Sequence, residues 1–172
     1  VTLAKCHLNF ALLSSNDSEL HFQQAMSLIQ KAYNLNPKNV KTAAVLVKVY
    51  LSKGQRALVD NDSSNAILNA NDGGAIIEPI WKTQPNEELR LHKAQLLILK
   101  SAALIKSGDQ AQANIFLQDA VNLLSENAGG ELPFTRLDDL VKALNLLNQE
   151  QQAAPYRKRL NKAGYVTFKP FS

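Results

Sequence analysis

Asn86–Gly130, NEELRLHKAQLLILKSAALIKSGDQAQANIFLQDAVNLLSENAGG, reads as two amphipathic helices folded back on each other about Lys106-Ser107-Gly108-Asp109. In the first arm Leu89, Leu96, Leu97, Ala103 and Leu104 recur at steps of three and four, which puts them on one helical face. Asn86 offers a side-chain oxygen to the free amides of that helix's first turn. Gly108 can take the left-handed conformation that ends it, and Asp109 can cap the next helix at once. The second arm sets Ala113, Leu117, Ala120, Val121 and Leu124 inward before Ala128-Gly129-Gly130 stops it. The small alanines let the two arms approach closely.

Composition extends this reading to the whole chain. Among 172 residues, 7 Gly and 6 Pro leave little room for a many-turned β fold, while long Ala/Leu/Gln/Lys stretches favour helix. The expectation is an all-α, right-handed stack of antiparallel helix hairpins, seven or eight helices in a single domain. Cys6 is the only cysteine, so an internal disulfide is excluded and the compartment stays open, with the cytoplasm favoured slightly. No apolar run approaches the ~18 residues of a membrane span. The chain starts at Val1 and its sole methionine is Met26, from which we expect a fragment of a larger protein. The formal charge of +4 sits at one end: residues 136–172 hold 7 Lys/Arg against 3 Asp/Glu, and the remainder is balanced.

Working outward, Val1–Ser14 carries Leu3, Cys6, Phe10 and Leu13 at helical spacing, and a helix opening at Ser18 stops at Asn36-Pro37. Lys41–Lys53 reads as a helix ended by Gly54. Residues 69–85, with Asp72-Gly73-Gly74, Pro79 and Pro85, read as an insert that cannot sit in one helix, its apolar part anchored by Trp81 or folded as a lid. Beyond Gly130, Thr135 and Asp138 fit a capping-box variant opening a helix with Leu137, Leu140, Val141, Leu144 and Leu147 inward. Pro155 then starts a last helix, ended by Gly164, and Tyr165–Phe171 docks as a tail. Residues 135–172 thus read as capping helices and tail for 1–134.

Residue types that carry chemistry are scattered. His7, His21 and His92 show no metal-ligand spacing, and Gly73-Gly74 and Gly129-Gly130 lack phosphate-cradle contexts. We therefore expect no enzymatic activity and no cofactor; a pocket gathering a histidine with a carboxylate would reopen the question. Arg157, Lys158, Arg159 and Lys162 form the one basic patch, with too few stacking aromatics to favour nucleic acid.

The hairpin at Asn86–Gly130 resembles a tetratricopeptide repeat, the helix-turn-helix unit of about 34 residues. Leu97, Ser101, Leu104, Gly108, Ala113, Leu117 and Ala120 carry the resemblance, and Lys100 departs from it. Ala43, Leu46, Val47, Tyr50, Gly54 and Ala66 match a second unit, with Val59 and Ser63 departing. Ala25, Ile29, Ala32 and Pro37 match half of a first, where Leu12 fits and Asn9 and Asn16 do not. The resemblance implies three degenerate repeats over 1–134, interrupted at 69–85. It also implies a concave groove lined by the first helix of each hairpin: Phe10 and Ser14, then Lys41, Ala44, Lys48 and Ser52, then Gln95, Ile98, Ala102 and Lys106. The places matching the family's clamp for chaperone tails hold Phe10, Ser14, Val45, Gln95 and Leu99, so that clamp is missing. The function implied is a scaffold that binds a protein or peptide segment, with an acidic, partly apolar one matching the three lysines. The alternative is a regulatory or ligand-sensing module of a larger protein, with the insert at Trp81 closing over a small ligand.

Overall fold

The computed structural model describes residues 1–13, 18–126 and 132–165. These form eight helices and, among the described residues, no strand: α1 (Thr2–Leu13), α2 (Ser18–Leu35), α3 (Val40–Val59), α4 (Ser63–Trp81), α5 (Glu87–Lys106), α6 (Gln110–Ser125), α7 (Phe134–Leu146) and α8 (Glu150–Lys162). The protein is an all-α stack of four helix hairpins.

Local chemistry sets the turns. Asn61, Gly108 and Asn148 have positive φ, at 59°, 91° and 59°, and each ends the first helix of a hairpin. The next amide in each turn, from Asp62, Asp109 and Gln149, reaches back to the carbonyl of Ala57, Leu104 and Leu144 at 2.7–2.9 Å. This Schellman closure satisfies carbonyls the helix end would leave bare. Asp62 and Asp109 then accept the amides of Asn65 and Gln112, each at 3.0 Å, so turn and cap share three residues. Asn39 and Asn86 open α3 and α5 likewise, from the amides of Thr42 and Leu89. Gly164, φ 65°, ends α8.

Four expected boundaries are corrected. Gly54 does not end α3, which continues to Val59, and residues 69–81 do sit in one helix: α4 runs through Gly73-Gly74 and Pro79 to Trp81. Both misplaced breakers are close-approach sites. A Cβ on Gly54 would stand 2.6 Å from Leu99 Cδ2, and one on Gly73 2.7 Å from Leu96 Cδ2, so α3 and α4 both press glycine against α5. Pro79 lies in the last turn of α4, where its missing amide costs one bond, to the Ala75 carbonyl. Thr135 and Asp138 form no capping box, because α7 starts at Phe134 behind Pro133 and makes no side-chain cap bond. Pro155 does not start α8 but lies exposed within it, the helix having begun at Glu150 beyond the left-handed Asn148.

Packing follows a simple rule. α1, α3, α5 and α7 touch in a row, whereas α2, α4, α6 and α8 each touch odd-numbered helices only. Three buried clusters result. One joins α1, α2 and α3 through Leu8, Phe22, Ile29 and Leu46; a second joins α3, α4 and α5 through Val47, Leu58, Ile77 and Leu99. The third joins α5 to α8 through Ile98, Leu117, Leu140 and Leu160. Full burial of each such side chain contributes about 1.5–3 kcal/mol. α3 and α5 face two clusters each, which explains why Thr42–Val47 is buried without interruption.

Candidate functional site

The row of odd-numbered helices presents a cleft of about 450 Å³. α1 supplies Leu8, Asn9 and Leu12; α3 supplies Lys48, Leu51, Ser52 and Gln55. α5 adds Leu91, His92, Gln95 and Ile98, and α7 adds Thr135, Asp138, Asp139 and Lys142, with Tyr165 at the end. One apolar side chain or more from each of α1, α3 and α5 floors a space whose α7 wall is charged.

A connected polar chain crosses it. Gln95 Nε2 donates to Asp139 Oδ2 at 2.8 Å, which leaves its Oε1 facing His92 Nδ1 at 3.1 Å. An amide oxygen can only accept, so Nδ1 carries the proton and Nε2 is a lone-pair acceptor. Burial pushes the His92 imidazole below its usual value; the Gln95 bond opposes this and the Lys48 charge adds to it. Burial pushes the Asp139 carboxyl up, against the Gln95 bond and the Lys142 charge. Lys142 Nζ lies 2.7 Å from Asp138 Oδ2 and 3.6 Å from Asp139 Oδ1. Burial, and then Asp138, raises the Tyr165 phenol. Two atoms of this cluster, His92 Nε2 and Asp138 Oδ1, are buried with no hydrogen-bond partner.

The expected groove residues divide. Lys48, Ser52, Gln95 and Ile98 are brought together in the cleft. Ala44 and Ala102 are buried in helix packing, 1% and 7% exposed. Lys41 is exposed in the first turn of α3, outside the cleft lining, and Ser14 lies outside the described residues. Phe10 points away, its ring stacked on His21 at 5.5 Å. Lys106 ends up outside the cleft as well, donating to the Leu58 carbonyl at 2.8 Å and to Asn61 Oδ1 at 3.1 Å, at the end of α3. The basic patch is dispersed along α8: Arg157 donates to Asn145 Oδ1 at 2.7 Å, Arg159 lies 5.4 Å over the Phe134 ring, and Lys158 and Lys162 are exposed. Trp81 is half-buried at the end of α4, with Arg90 and Lys93 each 5.6 Å from its ring. Of the tail, only Tyr165 lies within the described residues.

Reading α7 as a cap hid Asp138, Asp139 and Lys142 from the groove. Their signal was present as Asp-Asp-x-x-Lys, which sets the lysine three and four residues beyond the two carboxylates, a helical ion-pair spacing. The cleft thus does gather a histidine with carboxylates. Among the described residues no three His, Cys, Asp or Glu side chains gather to hold a metal ion, and no helix is long and apolar enough to cross a membrane. Compared with family models, curated proteins and solved structures, the chain finds no significant match.

Proposed function

We propose that this chain is a helical-repeat interaction module, resembling the tetratricopeptide family, that holds a segment of a partner protein along the row α1–α3–α5–α7. The observation that carries the reading is the cleft itself: it runs over four helices of successive hairpins, and it offers an apolar floor with polar groups at defined places. Such a floor supplies affinity while the polar groups set orientation. Lys48, exposed on α3, adds a charge that acts through space on a partner's approach.

The polar groups lining the cleft, among them Lys48, Ser52 and Gln95, offer a bound segment both donors and acceptors. The test is selection of displayed random 12-residue peptides on the wild-type chain, followed by affinity measurements with Ser52→Trp and Lys48→Glu. Ser52→Trp should fill the cleft and weaken selected peptides by at least about tenfold, at an unchanged melting temperature. Peptides indifferent to both substitutions, or no enrichment at all, would overturn the groove reading.

A further inference from the structure

We propose that two copies of this chain pair through the outer face of α1, antiparallel and about a two-fold axis. The inference is independent of the groove reading, because Leu3, Cys6, Phe10 and Leu13, which form that face, do not line the cleft.

The argument starts from a helix with two apolar faces. Ala4, Leu8 and Ala11 turn inward and join the buried cluster with α2 and α3. Leu3, Cys6, Phe10 and Leu13 recur at the spacing of a core stripe, yet they turn outward: Leu3 and Phe10 are 58% exposed, Leu13 is 86% exposed, and the Cys6 thiol is exposed as well. Lys5 is the only Lys, Arg, Asp or Glu in α1. In the same row α3 and α5 each face two buried clusters, whereas α1 faces one. The row therefore ends on an apolar surface where its inner helices would carry a further layer.

The two ends of the stack narrow what covers it. At the far end α8 leaves Gln151, Gln152, Arg157, Lys158 and Lys162 exposed, the polar outer side of a capping helix. A head-to-tail contact would press the α1 stripe against that polar side, which costs desolvation without apolar burial. The stripe instead matches itself. Its steps of three, four and three read alike in both directions, so a two-fold axis at the level of Leu8 sets Leu3 opposite Leu13 of the second copy, and Cys6 opposite Phe10. Such a contact closes at two copies. With Leu20, 53% exposed beside the His21 ring that stacks on Phe10, the face offers on the order of 500 Å² per chain and about 1,000 Å² per pair, the low end for a specific interface. The dimer should accordingly be weak and reversible.

The experiment is sedimentation velocity of the whole chain from about 5 to 500 µM, a range that spans the micromolar Kd expected of so small an interface. We expect a monomer–dimer equilibrium with nothing larger, and association at least about tenfold weaker in Leu13→Glu, whose side chain is too exposed to bear on the fold. Direction is read from disulfide formation in a Cys6→Ser background. Leu3→Cys and Leu13→Cys chains should crosslink when mixed and oxidised but not separately, because an antiparallel pair keeps like positions about 15 Å apart along the axis. The crosslink checks the pairing even if Leu13→Glu folds poorly. A chain that stays monomeric throughout the range, its stripe then left to a different protein or segment, would overturn the inference. So would association undiminished in Leu13→Glu, open-ended assembly, or crosslinking of either cysteine variant alone as readily as the mixture.

Discussion

Gly54 and Leu99 pack so closely that a methyl group on Gly54 would stand 2.6 Å from Leu99 Cδ2, and Leu99 is 1% exposed. Gly73 stands in the same relation to Leu96, whereas a Cβ on the adjacent Gly74 would meet nothing within 4 Å. Alanine at Gly54 or Gly73 should therefore lower stability by about 1–3 kcal/mol, overpacking outweighing the gain in helix propensity. Gly74→Ala should raise it by about 0.4–1 kcal/mol. Thermal melts of the three variants check this; destabilisation by Gly74→Ala comparable to the others would contradict the packing account.

Arg136 ties α7 to the end of α6. It is 6% exposed, and Nε donates to the Leu124 carbonyl at 2.6 Å, Nη2 to the carbonyls of Leu123 and Glu126, and Nη1 to Glu87 Oε1 at 3.2 Å. Arg136→Ala should cost about 3 kcal/mol, roughly 6–12 °C in a chain of this size. Arg136→Lys should recover little of it, since an ammonium cannot reproduce the fork. Denaturant unfolding of both variants measures the difference, and a stable Lys variant would refute the capping role.

Asn148 holds φ at 59° between α7 and α8. Glycine there should be neutral or stabilise by a few tenths of a kcal/mol, while valine should cost about 1–2 kcal/mol because a β-branched side chain resists the left-handed region. Comparing urea midpoints of Asn148→Gly and Asn148→Val tests the turn without touching the cleft.

Acid should weaken the fold partly through His92. Its folded value lies below 6.5, so beneath that pH the unfolded chain binds more protons and stability falls as pH drops. Asp139 acts oppositely: its folded value lies above 3.8, so it costs stability as pH rises from there through the folded value. Between pH 7 and 5.5 the wild type should lose more melting temperature than His92→Gln, by at least about 2 °C, the shift that ~1 kcal/mol gives. Parallel profiles for the two proteins would rule out a buried neutral imidazole.

What could be read from the sequence was chemistry that closes locally. Asn86 and Asp109 bond amides three residues on, and Gly108 needs only its own φ, so each was visible in its neighbourhood. Gly54 and Gly73 were misread because breaker and close-approach site look alike until the partner helix is known, and the partners, Leu99 and Leu96, belong to another hairpin. In the site, Lys48, Ser52, Gln95 and Ile98 came from the tetratricopeptide resemblance, which implies a groove along the first helix of each hairpin. Asp138 and Asp139 were lost to a capping motif at the start of α7, since Pro133 rather than Thr135 precedes that helix.

α5 gives Leu89, Leu96 and Leu99 to one buried cluster and Ala94 and Ile98 to another, whereas α1 is held by a single cluster. The amides of α5 should therefore exchange with solvent only when two cooperative units open together, and those of α1 when one does. The cleft has a slow floor and a fast rim. If the cleft holds a partner segment as proposed, that segment would enter by a brief excursion of α1 while Gln95 and Ile98, on α5, hold their geometry, so admission and recognition would run on separate clocks.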